Sequence, residues 1–424
     1  MDLNKCQIFT PSHIVKYMLD KIDYTGNVFG KKIIDNSCGT GNILVEVVER
    51  FIVDAKKSRK HKTTIKKGLE TCIVGCDIDP KMVGACIENL NNVAMRFGLK
   101  DIQWNIHNKD GLYIDGLFDY VVGNPPYISY LDLDHETRIK TKENFKSCEI
   151  GKFDYSYAFI EKGLQILKNY GKMAMITPAN MFKTVYAETL RTTIKPELTH
   201  IVDCSAAKIF DEVLTSPAIT IYEKGNESNV LIYQEMDRDG IENEFLIDKQ
   251  SLSGKWNFTN YVEFGERRFG DSFKASNCIA TLANKIFIHT VNEHGELDID
   301  VENDSVKDAK SPKSEQFGIK QKIIFPYYYE NNELKNYTED EIYKKYPKLM
   351  ISTIITKVVR VYDLDSSVIP YSGIYIIPRN NTSLDDAKLI LQTKRFYEYL
   401  LTKGVKVSGD SIRISSKDVE EYRY

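Results

Sequence analysis

Asn124-Pro125-Pro126-Tyr127 follows directly on the apolar run Phe118-Asp119-Tyr120-Val121-Val122-Gly123. Each proline fixes φ and lacks an N–H, so the carbonyls around it are left as outward acceptors. The Asn124 side-chain oxygen is a further acceptor, and the Tyr127 ring is a stacking surface. Placed at the end of a buried strand, such a set can grip a flat, conjugated amide or amine and hold its nitrogen ready for attack. A double-proline turn that only ends a strand is the competing reading.

A second constellation lies upstream. Lys32-Ile33-Ile34-Asp35 reads as a strand, Asn36-Ser37-Cys38-Gly39-Thr40-Gly41-Asn42 as a glycine-rich turn, and Ile43-Leu44-Val45-Glu46-Val47-Val48 as the start of an amphipathic helix. Strand, turn and helix in that order form the first unit of a nucleotide-binding α/β sheet. Leu44 stands at the third glycine position of the dinucleotide fingerprint, so no pyrophosphate cradle is expected. Asp35 can instead accept from an ammonium group, while Gly39 and Gly41 let the backbone approach a ligand. A plain glycine turn is the alternative.

The elements that must position these groups follow in order. Cys72-Ile73-Val74-Gly75-Cys76 predicts a second strand ending in Asp77-Ile78-Asp79-Pro80. An acid at that tip suits a ribose diol, and Ile78 offers an apolar face to an adenine ring. Asp79 reads as a helix cap because it precedes Pro80 at a helix first turn. Ile102-Gln103-Trp104-Asn105-Ile106-His107 predicts a third strand, with Asp110-Gly111 beyond it. Four strands thus bring Asp35, Asp77, Asp110 and Asn124 to one carboxyl edge, where open α/β sheets bind ligands. An adenosine cofactor with an amino-acid tail fits that edge better than a nucleotide phosphate.

These motifs resemble, in order, those of the S-adenosylmethionine-dependent adenine-specific (amino-N-6) DNA methyltransferases of gamma-class order, TaqI-like and Eco-type. Gln7-Ile8-Phe9-Thr10-Pro11 resembles the segment that closes over the methionine end of the cofactor. Asp154-Tyr155-Ser156-Tyr157-Ala158-Phe159-Ile160-Glu161 and Tyr170 to Pro178 are similar to the family's next helix and strand. Lys208-Ile209-Phe210 resembles the segment whose aromatic residue backs a flipped base, and the run 279–288 the opening of a target-recognition domain. The resemblance implies a doubly wound Rossmann-like α/β sheet over residues 1–225 and a C-terminal α+β target-recognition domain over 226–424. It implies S-adenosylmethionine as cofactor, held by Phe9, Thr10, Pro11, Asp35, Ser37, Cys38, Gly39, Gly41, Asp77, Ile78, Asp110, Gly111 and Asn124. Catalysis would fall to Asn124, Pro125, Pro126, Tyr127 and Phe210. The implied partner is duplex DNA, with a separate restriction endonuclease as a candidate second partner.

Composition sets bounds on this. A chain of 424 residues makes two or three domains. At 42% hydrophobic residues, without an apolar run long enough for a bilayer, it is expected to be a soluble, cytoplasmic monomer with no membrane association. Met1-Asp2-Leu3-Asn4-Lys5 lacks signal-peptide character. The eight cysteines show no C-x-x-C pair, which argues for reduced thiols and no structural metal. A net charge of −3 is unusual for a DNA-binding chain, yet a local basic groove suffices. The cluster Lys56, Lys57, Arg59, Lys60, Lys62, Lys66 and Lys67 reads as a solvated loop on the amino edge. Arg138, Lys140, Lys142, Lys146 and Lys152, interleaved with Tyr130, His135 and Phe145, are the better phosphate contacts.

Beyond residue 225 the acid-rich stretch 226–256 suggests an interdomain connection or an edge hairpin, and alternation around 297–301 a short strand with an acidic outer face. Strands at Met350–Ile354 and Gly373–Pro378 and a helix from Leu384 to Leu401 are expected. Tyr327, Tyr328 and Tyr329 are either recognition contacts or packing. Arg267, Arg268, Lys357, Arg360, Arg379 and Arg395 are candidate base readers. The rival activities are protein-glutamine methylation, ribosomal-RNA amino-group methylation, and a non-catalytic DNA-binding modification subunit. The motif order from Gln7 and the long C-terminal region count against the first two; intact Asp35, Asp77 and Asn124 count against the third.

Overall fold

The computed structural model describes residues 9–207, 209–210, 216–258, 265–278, 284–297, 306–324, 327–330, 333–336, 347–380, 382–408 and 411–424. Gln7, Ile8, Lys208, 279–283 and 298–305, named above, lie outside them. The chain forms two compact units, Met1–Phe258 and Thr259–Tyr424.

In the first unit, helix α1 (Ser12–Lys21) precedes β1 (Ile33–Asp35), α2 (Asn42–Lys57), α3 (Lys62–Cys72), β2 (Ile73–Asp77), α4 (Pro80–Arg96) and β3 (Asn105–Asn108). Then come β4 (Phe118–Gly123), α5 (His135–Asn144), α6 (Ser156–Gln165), β5 (Leu167–Pro178) and α7 (Glu188–Ile194). The unit closes with β6 (Leu198–Asp203), β7 (Pro217–Glu223), β8 (Val230–Met236) and β9 (Ile241–Asp248). The nine strands form one sheet in the order β3-β2-β1-β4-β5-β7-β6-β8-β9. β3, β2, β1, β4 and β5 run parallel, and β7 is antiparallel to both its neighbours.

A parallel sheet needs apolar cover on both faces, and the strand sequences supply it by alternation. Ile34, Val121, Met173 and Ile201 face one buried cluster, whereas Ile33, Val122, Ala174 and Val202 face the other. The first cluster is covered by α6, through Tyr157, Ile160 and Leu164, the second by α1, α2 and α4. Arg50 fastens α1 to α2, bonding Asp20 at 2.6 Å, Glu46 at 2.9 Å and the carbonyls of Tyr24 and Lys16. That clamp fixes the segment before α1, which contributes Thr10 to the site.

The structure moves the expected boundary at 225. β8 pairs in parallel with β6 and antiparallel with β9, so the acid-rich stretch is the edge hairpin of the main sheet. Trp256 and Phe258 then fold back into the first core cluster, where Trp256 stacks on Phe182 and Phe258 on Tyr233. The first unit therefore ends at Phe258. The expected lysine-rich loop is also corrected: Lys62, Lys66 and Lys67 lie on α3, which buries Ile65, Leu69 and Cys72 and leaves its lysines outward.

The second unit is α+β. Phe273–Asn277, Ile374–Pro378, Lys348–Ile351 and Val361–Leu364 make an antiparallel four-stranded sheet. Helices Leu384–Leu391 and Lys394–Lys403 pack Leu391, Phe396 and Tyr399 onto its core. The single helix expected over 384–401 is broken because Thr393 caps a new start, accepting from Phe396 N at 3.1 Å. A second sheet orders Ile288–Thr290, Gln321–Ile324, Val306–Lys310 and Ile369–Pro370. Among the described residues no helix is long and apolar enough to cross a membrane, and the cysteines carry no disulfide.

Candidate active site at the carboxyl edge of the first unit

β1 lies between β2 and β4, so the chain reverses its lateral direction at the β1/β4 gap. Such a switch point opens a crevice outside the strand ends. Asp35 ends β1, Asp77 ends β2, Asp110 follows β3 and Asn124 follows β4, and all four line one cavity of about 240 Å³.

Local hydrogen bonds set each acid. Asp35 is 2% exposed and accepts from Ser37 N at 3.1 Å. Asp77 accepts from Gly39 N at 3.0 Å and Asp79 N at 2.9 Å, which ties the glycine turn to the second strand. Asp110 accepts from Leu112 N at 2.9 Å. Asp79 caps α4 through Lys81 N at 2.8 Å, as its place before Pro80 predicts, and it also lines the cavity. Burial pushes the Asp35 carboxyl up to about 7, opposed by the Ser37 N–H and reinforced by nearby Asp77. Burial also raises Asp77 and Asp110. Three desolvated carboxyl groups around one cavity favour a ligand that brings an ammonium group and hydroxyl donors.

Two glycines are sterically required. Gly41 has φ +85°, and a Cβ there would lie 2.7 Å from Cys86 Sγ. A Cβ on Gly111 would meet the Asn36 carbonyl oxygen at 1.9 Å, because the turn after β3 crosses directly over the end of β1. On the opposite wall, Asn124 Nδ2 donates to Thr10 Oγ1 at 3.1 Å and so orients the carboxamide. Tyr127 donates its hydroxyl to Ile176 O at 3.2 Å, anchoring the tetrapeptide to β5.

Of the residues expected at the site, Phe9, Thr10, Asp35, Ser37, Cys38, Gly39, Asp77, Ile78, Asp110, Gly111, Asn124 and Pro126 line the cavity. Pro11, Gly41, Pro125, Tyr127 and Phe210 do not. Pro11 and Gly41 are the N-cap residues just before α1 and α2, and Phe210 packs half-buried against the second core cluster. Residues absent from the expectation complete the lining: Asn36, Met82, Ile128, Thr137, Tyr155 and Phe159 among them. Tyr155, the residue before α6, and Phe159 within its first turn form an edge-to-face pair at 5.5 Å. Their i,i+4 spacing within Asp154–Glu161 was the available signal. Phe9 and Ile78 stay 60% and 51% exposed beside the cavity, an unusual setting for large apolar groups that a bound ring would cover.

The polar wall also fits a cofactor with an amino-acid end. Ser37 Oγ and both polar side-chain atoms of Asn36 are buried without a hydrogen-bond partner among the described residues. Of the cations expected to meet phosphate, Arg138, Lys140 and Lys142 lie on α5, whose Thr137 lines the cavity, whereas Lys146 and Lys152 follow that helix. Arg138 and Lys142 sit over the Tyr130 ring at 4.8 and 5.2 Å, and Lys140 over Tyr113 at 3.8 Å. Phe145 is buried in the core and is no surface contact.

Residues 76–210 match the family described as Eco57I restriction-modification methylase. The Escherichia coli type II restriction enzyme and methyltransferase RM.Eco57I is 22% identical over 83% of this chain and 45% of its own length. The type II methyltransferase M.BstVI of Geobacillus stearothermophilus is 27% identical over 52% of this chain and 42% of its length. The chain thus spans less than half the length of these curated relatives. Among solved structures, the type IIL restriction-modification enzyme MmeI in complex with DNA superposes with a TM-score of 0.63 at 12% identity, over 97% of this chain and 65% of that one. A nuclease-deletion mutant of the type ISP enzyme LlaGI with a DNA substrate mimic gives 0.66 at 13% identity, over 98% and 46%.

Proposed function

We propose that this chain, whose residues 76–210 form an Eco57I-type restriction-modification methylase domain, is a site-specific DNA methyltransferase acting on the 6-amino group of adenine with S-adenosylmethionine. The observation that carries the reading is the convergence of Asp35, Asp77, Asp110 and Asn124 on one cavity at the switch point of the sheet. Asp35 would take the ammonium of the cofactor's amino-acid end, Asp77 its ribose diol, and Asp110 its adenine amino group, with Ile78 on a ring face. Bound there, S-adenosylmethionine supplies an electrophilic methyl group on a sulfonium.

The adenine amino nitrogen is a weak nucleophile because its lone pair is delocalised into the ring. The Asn124 carboxamide oxygen and the Pro125 carbonyl accept its two N–H groups, favouring a pyramidal nitrogen with its lone pair turned toward the methyl group. The gain comes from positioning and electrostatics, with no general base needed. Since the amino group is out of reach inside a duplex, the base must leave the stack, and Tyr127 and Phe210 are the aromatic groups assigned to receive it. Neither ring lines the cavity, nor does Pro125, so these assignments require the tetrapeptide and Phe210 to shift as the base enters. The second unit is assigned to target recognition, supported by the likeness of nearly the whole chain to enzymes solved with DNA. A separate endonuclease remains the candidate partner in the cell.

The test is nucleoside analysis of duplex DNA methylated by the purified chain with labelled S-adenosylmethionine, paired with single-molecule sequencing for the motif. N6-methyladenine at one recurring sequence supports the reading. Methylated cytosine overturns the adenine assignment, and label in protein or ribosomal RNA but not DNA overturns the substrate class.

A further inference from the structure

Asn36 occupies the position directly after the β1 acid, and the proposed reaction assigns no ligand group to its unpartnered carboxamide. It is 1% exposed, lines the cavity, and has neither Oδ1 nor Nδ2 hydrogen-bonded among the described residues. A buried carboxamide without partners is costly, and water or apolar replacement would ordinarily relieve it. The position is also held firmly. The turn at Gly111 presses on the Asn36 carbonyl, and Asn36 Oδ1 lies 3.3 Å from the point where a Cβ on Gly123 would stand. Asp35 Oδ1 lies 3.6 Å from that same point. The two oxygens therefore flank the end of β4 together, immediately before Asn124.

We propose that Asn36 is a cofactor-binding residue that, with Asp35, reads the zwitterionic α-amino-acid end of S-adenosylmethionine. One carboxamide presents an acceptor and two donors in a fixed plane. Its Oδ1, beside the Asp35 carboxylate, accepts a second N–H of the ammonium group, and its Nδ2 donates to the ligand's carboxylate. The buried cost in the ligand-free protein is then recovered only when that end of the ligand is present. A purine edge offers the same donor–acceptor pair, but Asn36 sits with Asp35 and Gly123 rather than beside Ile78.

This proposal rests on the cofactor reading above, and the experiment separates the two. Calorimetry compares S-adenosylhomocysteine with 5′-methylthioadenosine, which keeps the nucleoside and lacks the amino acid, on the full chain and on Asn36→Ala. Wild type should bind both, the first more tightly. Asn36→Ala should lose about tenfold or more on S-adenosylhomocysteine while its affinity for methylthioadenosine stays within about twofold. Equal losses on both ligands would assign Asn36 to the purine or to the fold and overturn the proposal, as would no loss on either. If wild type binds neither ligand, the cofactor reading fails and takes this inference with it. A second variant reads the ligand-free state alone: Asn36→Leu, similar in size and without polar atoms, should leave the melting temperature unchanged or raised while abolishing the ligand-induced shift. A melting temperature lowered by several degrees would mean that the carboxamide has partners in the empty protein, and the proposal would be wrong.

Discussion

Replacing Asp35 by asparagine should make the ligand-free first unit more stable and its cofactor complex weaker. The carboxyl group is raised from 3.8 to about 7 by burial, with Asp77 adding to the effect. In the unfolded chain it ionises near 4, so between those values the folded state holds a proton that the unfolded state has released. Stability therefore falls as pH rises through that window, and the fall is complete above the folded value. A displacement of roughly three units corresponds to about 4 kcal/mol against the folded state at pH 8 and nothing below pH 4. Asparagine keeps an oxygen for the Ser37 N–H and never ionises. Recovering even about 2 kcal/mol would raise the melting temperature by about 4–8 °C in a unit of this size. The two tryptophans, Trp104 and Trp256, both lie in the first unit, so fluorescence melting reports that unit without interference from the second. Binding should move the other way. Loss of the carboxylate opposite an ammonium group costs about 1.5–3 kcal/mol, a ten- to hundredfold weakening by calorimetry. In wild type the same linkage makes affinity fall about tenfold per unit of pH below 7, with a proton released on binding. A variant that melts lower than wild type at pH 8 and binds S-adenosylhomocysteine as well would refute the whole chain of reasoning.

Other perturbations test different links. Asn124→Ala should reduce single-turnover methylation by about a hundred- to a thousandfold, far more than it weakens S-adenosylhomocysteine binding, since positioned acceptors act mainly on the reaction. Wild-type turnover would reduce the tetrapeptide to a turn. Arg191 is 2% exposed and donates at 2.7 Å to the carbonyls of Gly254, Met181 and Thr184. Arg191→Leu strands three acceptors and should lower urea stability, followed by tryptophan fluorescence in the full chain, by about 3 kcal/mol or more. A fragment of residues 1–258 should be monodisperse with cooperative melting, whereas 1–225 should aggregate because it lacks β8, β9, Trp256 and Phe258. Equal behaviour of the two fragments would restore the boundary at 225.

The acids were legible because a parallel sheet imposes a rule on the chain. Each strand's carboxyl end must reach one edge, so an acid directly after an apolar run is placed before any contact is known. Asp79 was readable for a similar local reason, its neighbour Pro80. The lysine-rich loop and the boundary at 225 were misplaced where charge masked periodicity, although the edge hairpin itself was among the expectations. In α3, Ile65, Leu69 and Cys72 keep helical spacing, but the surrounding lysines suggest a loop. In β8, Leu231 and Tyr233 alternate inward, yet the acids of the neighbouring edge strand dominate the composition of the stretch. Thr137 could not be found at all, because α5 reaches the cavity through tertiary packing that no local pattern encodes.

The hairpin that misled the boundary has a physical purpose in the fold. β9 is a sheet edge, and an edge presents unpaired N–H and C=O groups on which another strand can add. Its residues Glu242, Asn243 and Glu244 lie along that edge, with Gln234 Nε2 donating to Glu244 at 2.6 Å and Asn243 Nδ2 to Glu235 at 3.0 Å. Those contacts bind Glu244 and Asn243 to β8, while the charge of Glu242 and Glu244 discourages strand addition. The same charge would repel a phosphate backbone, so the acidic edge and the basic α5 stand at different places on one unit. A net charge of −3 over the whole chain is then compatible with a duplex bound at the carboxyl edge, because the sum averages surfaces with opposite assignments.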